Sequence, residues 1–193
     1  MDAPPDAFYT DERWGNWLSR IREADIDPAE EDSARLLLNL QEDAAIAVAK
    51  VLGAYEEGAL TEEEALSELA GVREIVLAEP EIEGEETAAL VGDVQLSLEA
   101  VFYAAEAYVA DGAAEVDLER RLHAAADAEA DDDLDTAFKR CAEAGTRIID
   151  GASLDPTAVE EIDYGYVFEW ADGLASLESA MRDPEVIEAD EEG

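Results

Sequence analysis

The sequence predicts an all-α fold, a single-domain bundle of five to six helices, and three observations lead there. Apolar residues recur at helical spacing through most of the 193 residues. The periodic stretches open on Thr or Asp caps, and several close on glycine or on an acid before proline. No stretch sustains strict alternation with β-branched enrichment, so no sheet is assigned. At this length one domain is the default, with roughly 70% of the unfolded chain's surface buried on folding. The bundle is expected over residues 10–182, between a flexible leader at 1–9 and an acidic disordered tail at 183–193.

Thr10 caps the first helix, with Asp11 and Glu12 at its positive end and Tyr9 placed to staple onto Trp14. Trp14, Trp17, Leu18 and Ile21 follow at i, i+3, i+4 and i+7, giving an amphipathic helix over about 11–24. Asp27, Pro28 and Glu30 start a long second helix that continues to Gly58. Its middle is apolar almost all round except for the line Asp43, Lys50 and Glu57, which places it at the bundle centre. Thr61 and Glu64 form a capping box for the third helix, whose stripe is Leu66, Leu69, Val72 or Arg73, and Val76.

The fourth helix spans about 86–109 and buries Leu90, Val94, Leu98, Val101, Phe102 and Tyr108, while Gln95, Glu99 and Glu106 face water. Asp117 opens a fifth stretch through Leu118 and Leu122, and Leu134, Phe138, Cys141 and Ile148 resume its period beyond Asp131, Asp132 and Asp133. This stretch is one helix or two. Asp155 and Pro156 start the last helix, with Val159, Ile162, Tyr166, Trp170, Leu174, Leu177 and Met181 as its buried stripe.

Charge is the strongest compositional signal: 52 Asp plus Glu stand against 12 Lys plus Arg, a net charge of −40. Of the bases only Lys50 and Lys139 are lysines. The acids are interleaved with 48% hydrophobic residues, so the chain is built to fold rather than to remain a solvated tail. Self-repulsion on this scale calls for a salty solvent, and the composition reads as that of a salt-in halophile with an acidic surface. Near its start the chain has no basic region or apolar stretch of a secretory signal, and Glu99, Glu106 and Lys50 interrupt its longest apolar runs. A single cysteine excludes an intramolecular disulfide. A cytoplasmic location is expected.

The stretch FYTDERWGNWLSRIREADIDPAEEDSARLLLNLQEDAAIAVAK, followed by REIVLAE and VFYAAEAYVA, resembles an uncharacterised domain family of unknown function found in halophilic archaea. The resemblance implies the lineage and the salt setting. It carries no activity and no site residue.

Asp127, Asp131, Asp133 and Asp135 belong to the densest carboxylate group and are the weak candidates for a hard cation such as Ca²⁺ or Mg²⁺. They lack the central glycine and terminal glutamate of a calcium loop, so helix capping is the simpler reading. His123 follows Glu119 by four, which suggests a solvent-facing pair. Cys141 shares a stripe with Leu134, Phe138 and Ile148 and reads as a buried thiol. Lys50, set among small apolar residues, snorkels along the line of Asp43 and Glu57, pairs with Glu99 or Glu106, or contacts a ligand in a bundle pocket. Arg120, Arg121, Lys139, Arg140 and Arg147 could touch phosphates, although helical spacing from Asp117, Asp135 and Glu143 explains most of them as ion pairs.

No phosphate loop, nucleophile elbow, dinucleotide fingerprint or zinc-helix pattern occurs. No catalytic residue and no cofactor is assigned. The leading expectation is a non-catalytic interaction or assembly module, with a protein partner or self-association, and Trp14, Trp17 and Lys50 are its interaction candidates. A carboxylate-lined, ligand- or Mg-binding helical enzyme and an accessory factor of a nucleic-acid machine are the alternatives.

Overall fold

The computed structural model describes residues 8–27 and 29–182, and within them every regular element is a helix. The elements are α1 (Asp11–Glu23), α2 (Glu31–Glu56), α3 (Glu62–Val76), α4 (Glu85–Asp111), α5 (Leu118–Ala130), α6 (Leu134–Ile149), α7 (Pro156–Glu160) and α8 (Tyr166–Arg182). Eight helices replace the expected five to six, and two breaks account for the difference. At the first, Asp132 takes a left-handed backbone, φ 60°, and Asp133 then caps α6 by accepting from the Thr136 amide at 3.2 Å. At the second, the last expected helix divides into α7 and α8. Glu129, near the end of α5, accepts the Tyr166 and Val167 amides at 2.8 and 3.0 Å and so caps α8 from another element. Gly165 makes room for it, since a Cβ there would lie 2.5 Å from Glu129 Oε1. The tail expected at 183–193 and most of the leader expected at 1–9 lie outside the described residues. Of that leader, Tyr9 is buried and Phe8 packs against the core.

Four of the local start signals act as the sequence suggests. Thr10 accepts the Arg13 amide at 3.1 Å, and Thr61 and Glu64 close both hydrogen bonds of their box. Asp117 caps α5 and Asp155 caps α7. Asp27 does not start α2, which begins only at Glu31, and Glu30 at its N-cap makes no side-chain capping bond. Asp27 instead accepts the Ala29 amide at 2.9 Å, and Pro28 lies outside the described residues. The middle of α2 is buried from Asp43 through Ala49, and α4 shares the centre with it, packing on α2, α3, α6 and α8. Gln41 of α2 donates to Asp172 Oδ2 at 3.0 Å and Ser176 Oγ at 2.9 Å, while Ala45, Ile46 and Ala49 cluster with Ala180. Contacts that advance together along both helices mean that α2 and α8 run in the same direction.

Close approach at the centre depends on two glycines. A Cβ on Gly173 of α8 would lie 1.9 Å from the Ser97 carbonyl oxygen of α4. A Cβ on Gly145 of α6 would lie 2.5 Å from Ala104 Cβ. By length and composition α4 is apolar enough to cross a membrane, contrary to the expectation from its interrupting acids, and half of its most apolar window is buried within the bundle.

Candidate functional site

Trp14 and Trp17 do not form an outward face; both are buried. Around them the N-terminal part of the chain is fastened by one carboxylate. Asp43, 2% exposed, accepts from Tyr9 Oη at 3.1 Å, from Trp17 Nε1 at 2.8 Å, and from Arg13 Nε at 2.9 Å to one oxygen and 3.1 Å to the other. Arg13 Nη2 adds an ion pair. Donors from three side chains compensate the carboxylate's loss of water, so this node is an internal fastening for α1.

The other sequence-predicted residues are dispersed. Asp127 is exposed on α5, Asp131 follows its last turn, Asp133 is occupied in capping, and Asp135 lies in the first turn of α6. Among the described residues no group of three or more His, Cys, Asp or Glu is arranged to hold a metal ion. His123 approaches Glu161, at 3.8 Å, rather than Glu119. Cys141 is fully buried, and burial pushes its thiol up to about 12. Arg121 pairs with Glu143 across α5 and α6 at 3.3 Å, Arg147 with Asp150 at 3.2 Å, and Arg140 donates to the Ala124 carbonyl at 2.7 Å. Three of the five bases offered for phosphate contact are thus engaged within the bundle. Lys50 is half-buried on α2. One acid expected to meet it, Glu106, is taken by Arg73 of α3, whose Nη1 donates to its two oxygens at 2.6 and 2.9 Å.

The chemically distinctive surface lies where α3, α4, α6 and α8 meet. Tyr103 of α4, Phe138 of α6 and Trp170 of α8 form a run of edge-to-face rings, each pair of centroids 4.8 Å apart, and Tyr166 extends it at 5.9 Å from Trp170. Tyr166 is 47% exposed and Leu134 40% exposed, where both were expected in the core; Tyr103 is 50% exposed. Together with Leu77 and Leu96 they wall a groove of about 580 Å³, within the usual size range of ligand sites. The indole N–H of Trp170, buried in that wall, finds no acceptor among the described residues.

Glu99, Asp135 and Arg73 supply the groove's charge. Arg73 is held by Glu106, whose carboxyl is raised above the ordinary range by burial, with Arg73 opposing. Glu99, expected to face water, is half-buried and has no hydrogen bond or ion pair with any described residue. Burial alone raises its carboxyl. The groove thus combines aromatic faces, an aliphatic floor, and two carboxylates beside a cation that is already neutralised.

A larger opening of about 940 Å³ lies between the end of α1 and the link joining α3 to α4. Glu79, Glu81, Glu83 and Asp25 line it beside Ile21, Ile26 and Ile82, and Arg22 donates there to the Glu81 carbonyl at 3.0 Å. It offers no aromatic surface.

The aromatic groove was not found from the sequence because its residues come from different helices. The available signal was Tyr103, a large ring one turn beyond Glu99 and off the stripe of Leu98, Val101 and Phe102. No curated protein and no solved structure matches the chain. Residues 7–190 match a family described as an uncharacterized protein conserved in archaea, DUF2150, and the chain belongs to that family.

Proposed function

We propose that the protein is a helical interaction module, adapted to high salt, whose protein partner inserts a segment into the groove formed by α3, α4, α6 and α8. The carrying observation is the continuous aromatic surface of Tyr103, Phe138, Trp170 and Tyr166, partly open to solvent although large aromatic side chains ordinarily gain most from complete burial. Clustered aromatics of this kind supply the anchors of protein interfaces. The −40 charge supports the salt setting, because self-repulsion of that size is relieved by concentrated counterions. Burial of Trp14 and Trp17 moves the proposed interaction surface away from α1.

A photo-crosslinking amino acid placed at Tyr103, with a control at the exposed Leu38 of α2, tests this in a native archaeal host. The expected result is one discrete adduct from position 103 that is lost on Leu134→Glu, with the captured protein then binding the purified chain. No adduct, or equal adducts from both positions, would reject the groove as the docking surface.

A further inference from the structure

We infer that the segment received by the groove carries a basic side chain, arginine above all, whose charge is met by Glu99 and whose stem and guanidinium lie against Tyr103 and Tyr166. This inference rests on the docking role of the groove and names the chemistry of its occupant.

Charge complementarity carries the argument. Of the charged residues lining the groove, Arg73 is balanced by Glu106, which leaves Glu99 and Asp135 as two uncompensated negative charges against an apolar, aromatic wall. Asp135 is exposed and well solvated. Glu99 differs: half-buried, without a described partner, it has lost water and gained nothing in return. A carboxylate so placed is a cost to the fold, and costs of this kind persist where function uses them. An incoming cation supplies the partner that no described residue provides, and it would offset the burial that raises the Glu99 carboxyl.

The wall selects the kind of cation. A small hydrated ion gains little from Tyr103, Phe138 and Tyr166, whereas an organic cation with an aliphatic stem gains both burial and attraction to the ring faces. A guanidinium also stacks on rings and donates in a planar fork to a carboxylate. A partly buried pair of this type is screened less by salt than an exposed one, so it remains usable in concentrated KCl.

The test is calorimetric titration in molar KCl with two blocked tripeptides, Leu-Arg-Leu and Leu-citrulline-Leu, against the wild-type chain, Glu99→Gln and Tyr103→Ala. Citrulline keeps the shape of arginine and removes its charge. The wild type is expected to favour the arginine peptide by at least about tenfold, and Glu99→Gln to bring the two within about twofold. Glu99→Gln should melt no lower than the wild type, which separates binding from folding. Equal binding of both peptides, survival of the preference in Glu99→Gln, or no binding of either peptide would overturn the inference. Equal binding that Tyr103→Ala abolishes would leave the docking groove standing. Absence of peptide binding together with absence of the crosslinked adduct at position 103 would remove both.

Discussion

Replacing Asp43 with alanine should release the best-defined polar fastening in the fold. The substitution takes an acceptor from Tyr9, Trp17 and Arg13 at once, and two of those donors are in buried side chains. Removing one partner of a buried ion pair costs about 3–5 kcal/mol, and each buried neutral donor left without its acceptor costs about 1–3 kcal/mol. The Arg13 side chain is 34% exposed and recovers part of its hydration, which lowers its share. A total of about 3–5 kcal/mol follows, because the donors share one acceptor and their losses are not additive. Asp43→Asn keeps one carbonyl oxygen and should fall between alanine and wild type. Equilibrium urea unfolding in molar KCl, followed by tryptophan fluorescence, measures both variants. Since α1 reaches only α2 and α3 among the larger packing contacts, Asp43→Ala should also bring an early fluorescence change from Trp14 and Trp17 before the main helical transition. A loss below about 0.5 kcal/mol with a single unchanged transition would refute the assignment of Asp43 as the fastening.

Gly173→Ala places a Cβ where the Ser97 carbonyl oxygen is 1.9 Å away, so α4 and α8 must separate by about 1.5 Å to restore ordinary contact; a loss of about 1–3 kcal/mol or more is expected in thermal melting, and a neutral result would contradict the packing. Cys141, buried and pushed up to about 12, should resist iodoacetamide at pH 8 in the native protein and react once urea exposes it; rapid native labelling would show the thiol to be accessible. Glu42, Glu99, Glu106 and Glu169 all have carboxyls raised above 4.5 with burial as the first cause, so the folded state takes up protons before the unfolded state does. Stability should therefore rise as pH falls from neutral toward 4.5, helped by relief of self-repulsion, and a steady decline over that window in chemical denaturation would count against it.

Legibility in the sequence followed the range of the interaction. Thr10, Thr61, Asp117 and Asp155 act on amides two or three residues away, and their caps were readable from local spacing. The break before α8 was hidden because Val159, Ile162 and Tyr166 keep a helical period while its stabilising cap comes from Glu129, 37 residues from Tyr166. Gln95 likewise looked solvent-facing and instead donates at 2.8 Å to the Val76 and Ala78 carbonyls, closing the end of α3. The −40 charge concealed which acids are distinctive: Asp43 is buried with three donating side chains, and Glu99 is half-buried with none among the described residues. Periodicity assigns residues to a face of a helix. It does not say what that face meets, and the groove exists only where faces of four helices converge.

Methyl NMR of the leucine-labelled protein during titration with the blocked Leu-Arg-Leu peptide tests the docking groove most directly. The account predicts saturable shifts centred on Leu77, Leu96 and Leu134, which line the groove, with Leu38 on α2 unmoved. Shifts centred on Leu38 or near α1, with Leu96 and Leu134 unchanged at saturation, would contradict it.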